Sequence, residues 1–277
     1  MELLLSLQSV EELRIASDYR FRWLDLKNPL TGSLGCPDGK VAEDFLKLAN
    51  SLPGRRNLTL SIALGELIDG IAPIQSTVET SGGDSGNRFR LPISADVLNQ
   101  FDFVKVALAR TLLEDRKPDR TGCDKRTGCD KRADWLELAR SLSEQLSDPS
   151  KIILVHYADH HLAHAVDWQS VLRASQLLSC EYILVDTFDK SSGTLQTWLS
   201  PETCHLYASQ ASELGIKLSL AGSLRQTDFD SLRKSGAAIL GIRGAACRDG
   251  SRVSKLCRDR LQQLSDCFAS ETFESNG

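Results

Sequence analysis

A carboxylate and a lysine stand two residues apart at the end of an apolar run. Asp25 and Lys27 follow the residues from Phe21 onward and are themselves followed by Asn28 and Pro29. Because side chains alternate along a strand, Asp25 and Lys27 share one face. If that face points into a closed barrel, the lysine is a candidate for imine formation with a carbonyl compound.

Two further lysines occupy similar positions. Lys105 lies inside the apolar run 101–108, where an unpaired ammonium is costly to bury, and Lys190 closely follows Asp186. Ammonium groups that share a small cavity lower one another's pKa, which yields the neutral amine that attacks a carbonyl. Asp25 or Asp186 would then transfer protons. Any one lysine–aspartate pair is equally well explained as a structural ion pair, but the three lysines together favour function.

The elements that would position these residues alternate along the chain, which is typical of a parallel sheet. Strand-like runs cover 2–7, 21–26, 57–64, 101–108, 151–157, 182–187, 216–221 and 238–243. Helical patterns cover 41–51, 133–146, 168–178, 201–214, 227–234 and 253–267. Eight repeats fit a (β/α)8 barrel, whereas an open doubly wound sheet usually has fewer strands and a glycine-rich first turn. We therefore predict an α/β fold, a single-domain TIM barrel over residues 1–277, and no cofactor.

Two segments interrupt this alternation and are predicted to be exposed loop insertions, near 69–92 and 113–132. The second contains Thr-Gly-Cys-Asp-Lys-Arg twice, at 121–126 and 127–132. We interpret the repeat as a local duplication that a loop tolerates and assign it no role.

Glycine-rich segments follow the last two strand-like runs. Gly222 and Ser223 come after the seventh run, and Arg243 and Gly244 end the eighth. In this barrel class these loops form the usual phosphate-binding corner. Glycines let backbone N–H groups approach an anion, and arginine adds a fork of donors. A phosphorylated small-molecule substrate is favoured over ordinary tight turns.

Composition excludes several other functions. The net charge of −4 over 277 residues gives no reason to expect nucleic acid or a membrane surface as a partner. The first apolar run is too short for a signal peptide or a membrane span, so we expect a cytoplasmic protein. The eight cysteines form no C-x-x-C pair, which predicts neither a zinc site nor a disulfide framework.

Four histidines cluster after the fifth strand-like run, at His156, His160, His161 and His164. Their spacing permits metal binding, but Asp159 is the one carboxylate nearby in that segment. We therefore predict no metal and prefer His161 as an acid/base or hydrogen-bonding residue.

The motifs together resemble the (5-formylfuran-3-yl)methyl phosphate synthase family of methanofuran biosynthesis. The resemblance rests on the opening D-x-K-N-P-x-x-G-S-L-G at 25–35, on Asp186 with Lys190, and on the closing G-x-R-G-A-A-C at 241–247. It implies a (β/α)8 barrel and a lyase that condenses two molecules of glyceraldehyde 3-phosphate into a furan aldehyde phosphate, with loss of phosphate and two waters.

The resemblance also implies roles for individual residues. The Schiff-base lysine of the family falls on Lys27, and the supporting residues fall on Asp25, Lys105, Asp186 and Lys190. The resemblance adds Asn28 and His161 to the substrate-binding residues, with Gly222, Ser223, Arg243 and Gly244 at the phosphate.

Two other functions stay open at this point. One is a different Schiff-base aldolase or a triose-phosphate isomerase on the same barrel, and the other is a barrel that binds a sugar phosphate as a sensor. A homo-oligomer is also left open.

Overall fold

Eight parallel strands close a barrel in chain order within the part of the chain that the computed structural model describes, residues 1–70, 89–112 and 135–269. The strands are β1 Glu2–Leu7, β2 Trp23–Leu26, β3 Thr59–Glu66, β4 Phe103–Ala107, β5 Ile152–Tyr157, β6 Tyr182–Asp186, β7 Lys217–Leu220 and β8 Ile239–Ile242. The barrel prediction is confirmed. Most of the first expected insertion and all of the second lie outside the described residues.

Helices connect the strands on the outside of the barrel. They are α1 Val10–Ala16, α2 Gly39–Ser51, α3 Ala95–Leu98, α4 Trp135–Ser143, α5 Trp168–Leu177, α6 Leu195–Trp198, α7 Pro201–Glu213, α8 Phe229–Arg233 and α9 Arg258–Ala269. Side chains just before the helices fix several starts, because Asp38, Asp167 and Ser200 accept hydrogen bonds from first-turn N–H groups. None of these helices is long and apolar enough to cross a membrane.

The prediction of a helix over 253–267 was wrong about where the helix begins. The helix begins at Arg258, because the preceding residues turn back and form an antiparallel bridge between Cys247 and Leu256. This hairpin, residues 247–256, lies at the same end of the barrel as the predicted site.

The lower half of the barrel is filled by aromatic side chains. The first residues of β2, β4, β6 and β8 are Trp23, Phe103, Tyr182 and Ile239, and all four are buried. Trp23 stacks on Phe103 at 5.4 Å between ring centroids, and Tyr182 meets both edge-on. Alternate strands thus supply one packed layer, as barrel geometry requires.

The polar residues belong to the layers above this floor. Since side chains alternate along a strand, Asp25 and Lys105 point inward two residues beyond Trp23 and Phe103. Lys27 and Asp186 stand two residues further along, four residues beyond the floor. The strand periodicity therefore delivers lysines and carboxylates to the carboxyl end of the barrel.

Candidate active site

A cavity of about 780 Å³ opens at the carboxyl ends of the strands. Its floor is apolar, with Leu4, Trp23 and Ile153, and its upper wall is strongly basic. Among the residues that the structure describes, the wall carries one carboxylate, Asp186. It also carries seven basic side chains: Lys27, Lys105, Lys190, Arg225, Arg243, Arg252 and Arg260. In a protein of net charge −4, so many cations around one cavity favour an anionic ligand.

Asp25 and Lys105 form an ion pair below the cavity. Lys105 Nζ lies 2.5 Å from Asp25 Oδ1, and the two residues are 3% and 0% exposed. Ser61, between them on β3, donates to Asp25 Oδ1 at 2.8 Å, and Ser6 on β1 donates to Oδ2 at 3.0 Å. Such bonds offset the cost of burying the charges. Lys105 reaches the cavity wall, whereas the carboxylate of Asp25 is enclosed.

A second pair lies at the end of β6. Lys190 Nζ forms a hydrogen-bonded ion pair with Asp186 Oδ1 and donates to Thr187 Oγ1 at 3.0 Å. Ser33 Oγ lies 3.1 Å from Asp186 Oδ2, which ties the loop after β2 to this carboxylate. Burial alone would raise the pKa of Asp186, but the charges of Lys190 and Lys27 outweigh it and lower the pKa to about 2. Asp186 is therefore ionised at neutral pH.

Of the three lysines that line the cavity, Lys27 is the one without a carboxylate partner among the described residues, because Lys105 and Lys190 pair with Asp25 and Asp186. Burial lowers the pKa of Lys27 to about 7. Asp186 and Asp25 oppose that shift, while Lys105 and Lys190 add to it. Near neutral pH Lys27 therefore supplies a neutral, nucleophilic amine, which an ordinary lysine does not.

Asp159, just beyond β5, holds the loop that carries Lys190. Its buried carboxylate accepts hydrogen bonds from the backbone N–H groups of Phe188 at 2.7 Å and Asp189 at 2.9 Å. Asp159 thus fixes the β6 loop from the side away from the cavity.

The predicted phosphate-binding residues divide into two groups. Gly222 and Ser223 line the cavity in left-handed backbone conformations, with φ of +116° and +52°. A Cβ on Gly222 would lie 3.0 Å from Thr187 Cγ2, so glycine is needed for the β7 loop to pack on the turn after β6.

Arg243 and Gly244 also line the cavity, but both already make close contacts within the protein. Arg243 is 5% exposed, and its two Nη atoms lie 2.8 and 3.1 Å from the Glu12 carboxylate oxygens. Its other donors reach the carbonyl oxygens of Ser6, Arg252 and Ser254, so all five N–H donors of the guanidinium have partners within the protein. A Cβ on Gly244 would lie 2.6 Å from the Gly250 carbonyl oxygen, so this glycine admits the hairpin.

The structure does not bring Asn28 and His161 to the cavity wall. Asn28 Oδ1 accepts from the Leu30 N–H at 3.0 Å, and its own N–H donates to Gly35, so it shapes the loop after β2. His161 is exposed, and its ring lies 5.4 Å from that of Trp198.

The histidine cluster lies mainly against the outer helices. His156 is buried between β5 and the rings of Trp168 and Tyr207. Burial lowers its pKa to about 3, so the ring is neutral. Among the described residues, no group of three or more side chains of the metal-binding types lies close enough to hold an ion.

Several functional contacts were missed by sequence reasoning. The serine partners of Asp25 had one usable signal, since Ser6 and Ser61 are polar residues within otherwise apolar strands. Glu12, the partner of Arg243, and Arg252 carried no such signal. Glu66 was also missed, although it accepts a hydrogen bond from the buried Tyr157 hydroxyl at 2.7 Å.

The fold and the site define a (β/α)8 barrel with a buried lysine of lowered pKa in a basic cavity. A family model described as 4-HFC-P synthase matches residues 3–265, and the chain belongs to this family.

Curated relatives agree with this assignment. Proteins described as (5-formylfuran-3-yl)methyl phosphate synthase include one from Methanopyrus kandleri, 33% identical over 48% of this chain and 58% of its own length. One from Methanothermobacter thermautotrophicus is 25% identical over 98% of this chain and 100% of its own length. The chain thus aligns with little more than half of the first relative and all of the second.

Among solved structures, a thiamine phosphate pyrophosphorylase from Pyrococcus furiosus superposes with a TM-score of 0.53 at 10% identity, covering 98% of this chain and 96% of that one. A phosphoribosyl anthranilate isomerase from Thermus thermophilus gives 0.51 at 10% identity, over 98% and 100%. At such low identity these likenesses show the barrel fold alone.

Proposed function

We propose that this chain is a (5-formylfuran-3-yl)methyl phosphate synthase. It condenses two molecules of glyceraldehyde 3-phosphate into a furan aldehyde phosphate and releases one phosphate and two waters, as a carbon–oxygen lyase of methanofuran-type biosynthesis. Membership of the family supports the activity. The observation that carries the mechanism is Lys27, whose amine has a pKa of about 7 and no carboxylate partner in the described residues.

The first step is attack of the neutral Lys27 amine on the aldehyde carbon of one triose phosphate. Water leaves and an imine forms, which acidifies the C–H bond on the adjacent carbon. Removal of that proton gives an enamine, and the enamine electrons expel the phosphate from the third carbon. The cationic wall offsets the charge of the departing phosphate.

Asp186 and Lys190 are the proton-transfer pair in this mechanism. Asp186 lines the cavity and is ionised, so it can accept the proton, and the bonded Lys190 ammonium can protonate the leaving phosphate oxygen. The enclosed carboxylate of Asp25 instead holds Lys105 in position.

Loss of phosphate leaves an enol whose terminal carbon is the nucleophile. To give the (5-formylfuran-3-yl)methyl skeleton, this carbon bonds to the second carbon of the other triose phosphate, which reacts as its keto isomer. Cyclisation with loss of water then gives the furan, and hydrolysis of the imine returns the Lys27 amine.

The test is to incubate the protein with glyceraldehyde 3-phosphate and to follow inorganic phosphate, the ultraviolet absorbance of a furan aldehyde and the product mass. One phosphate per furan phosphate is expected. Borohydride should trap a substrate adduct on Lys27 in the wild type and not in Lys27→Ala. Lys47→Ala, an exposed lysine on α2, is the matched control and should behave as wild type.

Other outcomes would contradict the proposal in distinct ways. Consumption of substrate without furan would indicate an aldolase or an isomerase. Phosphate-dependent binding without a trappable adduct would indicate a sensor. Furan production by Lys27→Ala at a substantial rate would rule out the imine on Lys27.

A further inference from the structure

A second arginine reaches the cavity from the hairpin 247–256. Arg252 is half-buried and lines the cavity wall. Its Nη2 atom donates to the carbonyl oxygen of Pro29 at 2.8 Å and to that of Gly32. Arg252 therefore connects the last loop of the barrel to the loop that follows Lys27.

The rest of this guanidinium has no partner in the described part of the chain. A guanidinium carries five N–H donors, and the two carbonyl bonds use only those on Nη2. No described carboxylate lies within 4.0 Å of Arg252. Burial lowers its pKa while the charge of Asp186 opposes that shift, and Arg252 in turn lowers the pKa of Lys190. Arg252 thus acts electrostatically on the Asp186–Lys190 pair.

Arg243 holds Arg252 in this place. Arg243 is fixed by Glu12, and its Nε donates to the backbone carbonyl of Arg252. Gly244 lets the hairpin approach, because any Cβ there would collide with the Gly250 carbonyl oxygen. The arginine in the closing motif therefore supports the backbone of a second arginine.

We propose that Arg252 is the arginine that binds a substrate phosphate, and that Arg243 is its positioning residue. This inference rests on the proposed function, since it assigns a ligand contact in the same site. The Nε and Nη1 donors of Arg252 are left for phosphate oxygens, and its guanidinium stays charged at any pH at which the protein is folded. Gly222 and Ser223 line the same cavity from the β7 loop. The bonds to Pro29 and Gly32 would hold the loop after Lys27 beside the bound phosphate.

The test compares Arg252→Met with Arg248→Met, which removes an exposed arginine of the same hairpin that does not line the cavity. We expect Arg252→Met to raise KM for glyceraldehyde 3-phosphate by about 10- to 100-fold, with a much smaller change in kcat. Inhibition by inorganic phosphate should weaken by a similar factor. Arg248→Met should leave both constants unchanged, and Arg252→Lys should recover only part of the loss.

Phosphate binding separates this inference from the proposed function. The thermal stabilisation of the protein by inorganic phosphate should be smaller in Arg252→Met than in the wild type, whether or not furan is formed. Equal stabilisation and equal KM in the two proteins would overturn the assignment. If Arg252→Met does not fold, Arg252→Lys gives the same comparison, and wild-type KM and phosphate inhibition in that variant would overturn it as well.

Discussion

Asp186 is bonded to Lys190, four residues further along the chain, and acts at the same time on Lys27. The contact with Lys190 occupies one carboxylate oxygen, while the charge of Asp186 raises the pKa of Lys27 against the larger effect of burial. One carboxylate thus sets the protonation of two lysines. Any change at Asp186 should therefore be visible in the titration of Lys27.

We expect kcat/KM of the wild type to rise with pH and to level off above about pH 7. The pKa of Lys27 is lowered from 10.5 to about 7, so below pH 7 the amine is protonated and cannot attack. The rate of borohydride-trapped adduct formation should follow the same curve. If kcat/KM and adduct formation instead rose only near pH 10, Lys27 would titrate as an ordinary lysine.

Asp186→Asn should move this limb to lower pH by about one unit, because the carboxylate that raises the pKa of Lys27 is removed. Turnover should also fall, by about 100-fold or more, since the proton acceptor is lost. The measurement is the pH profile of adduct trapping, with Ser33→Ala as a control that keeps the charge. An unshifted limb would mean that Asp186 does not act on Lys27.

Lys27→Met should stabilise the protein most strongly at neutral and lower pH. In the folded protein Lys27 releases its proton near pH 7, whereas in the unfolded chain it stays charged to about pH 10. The folded state therefore bears the full cost of the buried charge below pH 7, and this cost declines as the pH rises to 10. We expect a gain of up to about 5 kcal/mol at pH 6.5 that falls to about 1 kcal/mol near pH 10. Urea unfolding at the two pH values measures it, and a gain independent of pH would contradict the explanation.

Asp25→Asn should destabilise the fold by about 3–5 kcal/mol, because it leaves the buried Lys105 ammonium unpaired. Ser61→Ala, which removes one hydrogen bond and keeps the pair, should cost about 1 kcal/mol. The double variant Asp25→Leu/Lys105→Met should recover most of the stability without activity. Denaturant unfolding measures the free energy of unfolding of the three variants. If Asp25→Asn leaves that free energy almost unchanged, the ion pair contributes little to stability.

The strands were predictable because a parallel strand that is buried on both faces has an almost continuous run of apolar residues in the sequence. β1 begins and ends where predicted, and β2 begins two residues later than predicted because Phe21 precedes the first ladder contact at Trp23. The short helices α3 and α6 have four residues each, too few for a periodic pattern, and were not predicted.

The candidate site was predictable where the signal was local. Asp25, Lys27, Lys105 and Asp186 interrupt or end apolar runs, and strand alternation then directs them to the interior. The role of Arg243 was not predictable, because its partner Glu12 is 231 residues away in the chain. A sequence shows an arginine at a strand end. It does not show whether other residues of the protein already accept all of that arginine's hydrogen bonds.

The hairpin after β8 also determines when the site is completed. Arg252 meets Gly32 across 220 residues of chain, and Arg243 meets the Ser6 carbonyl across 237. A growing chain that has not reached residue 252 lacks the arginine that binds the loop after Lys27. The reactive amine therefore acquires its finished surroundings only after the last strand has closed the barrel, so a partly made chain has no assembled site with which to capture aldehydes.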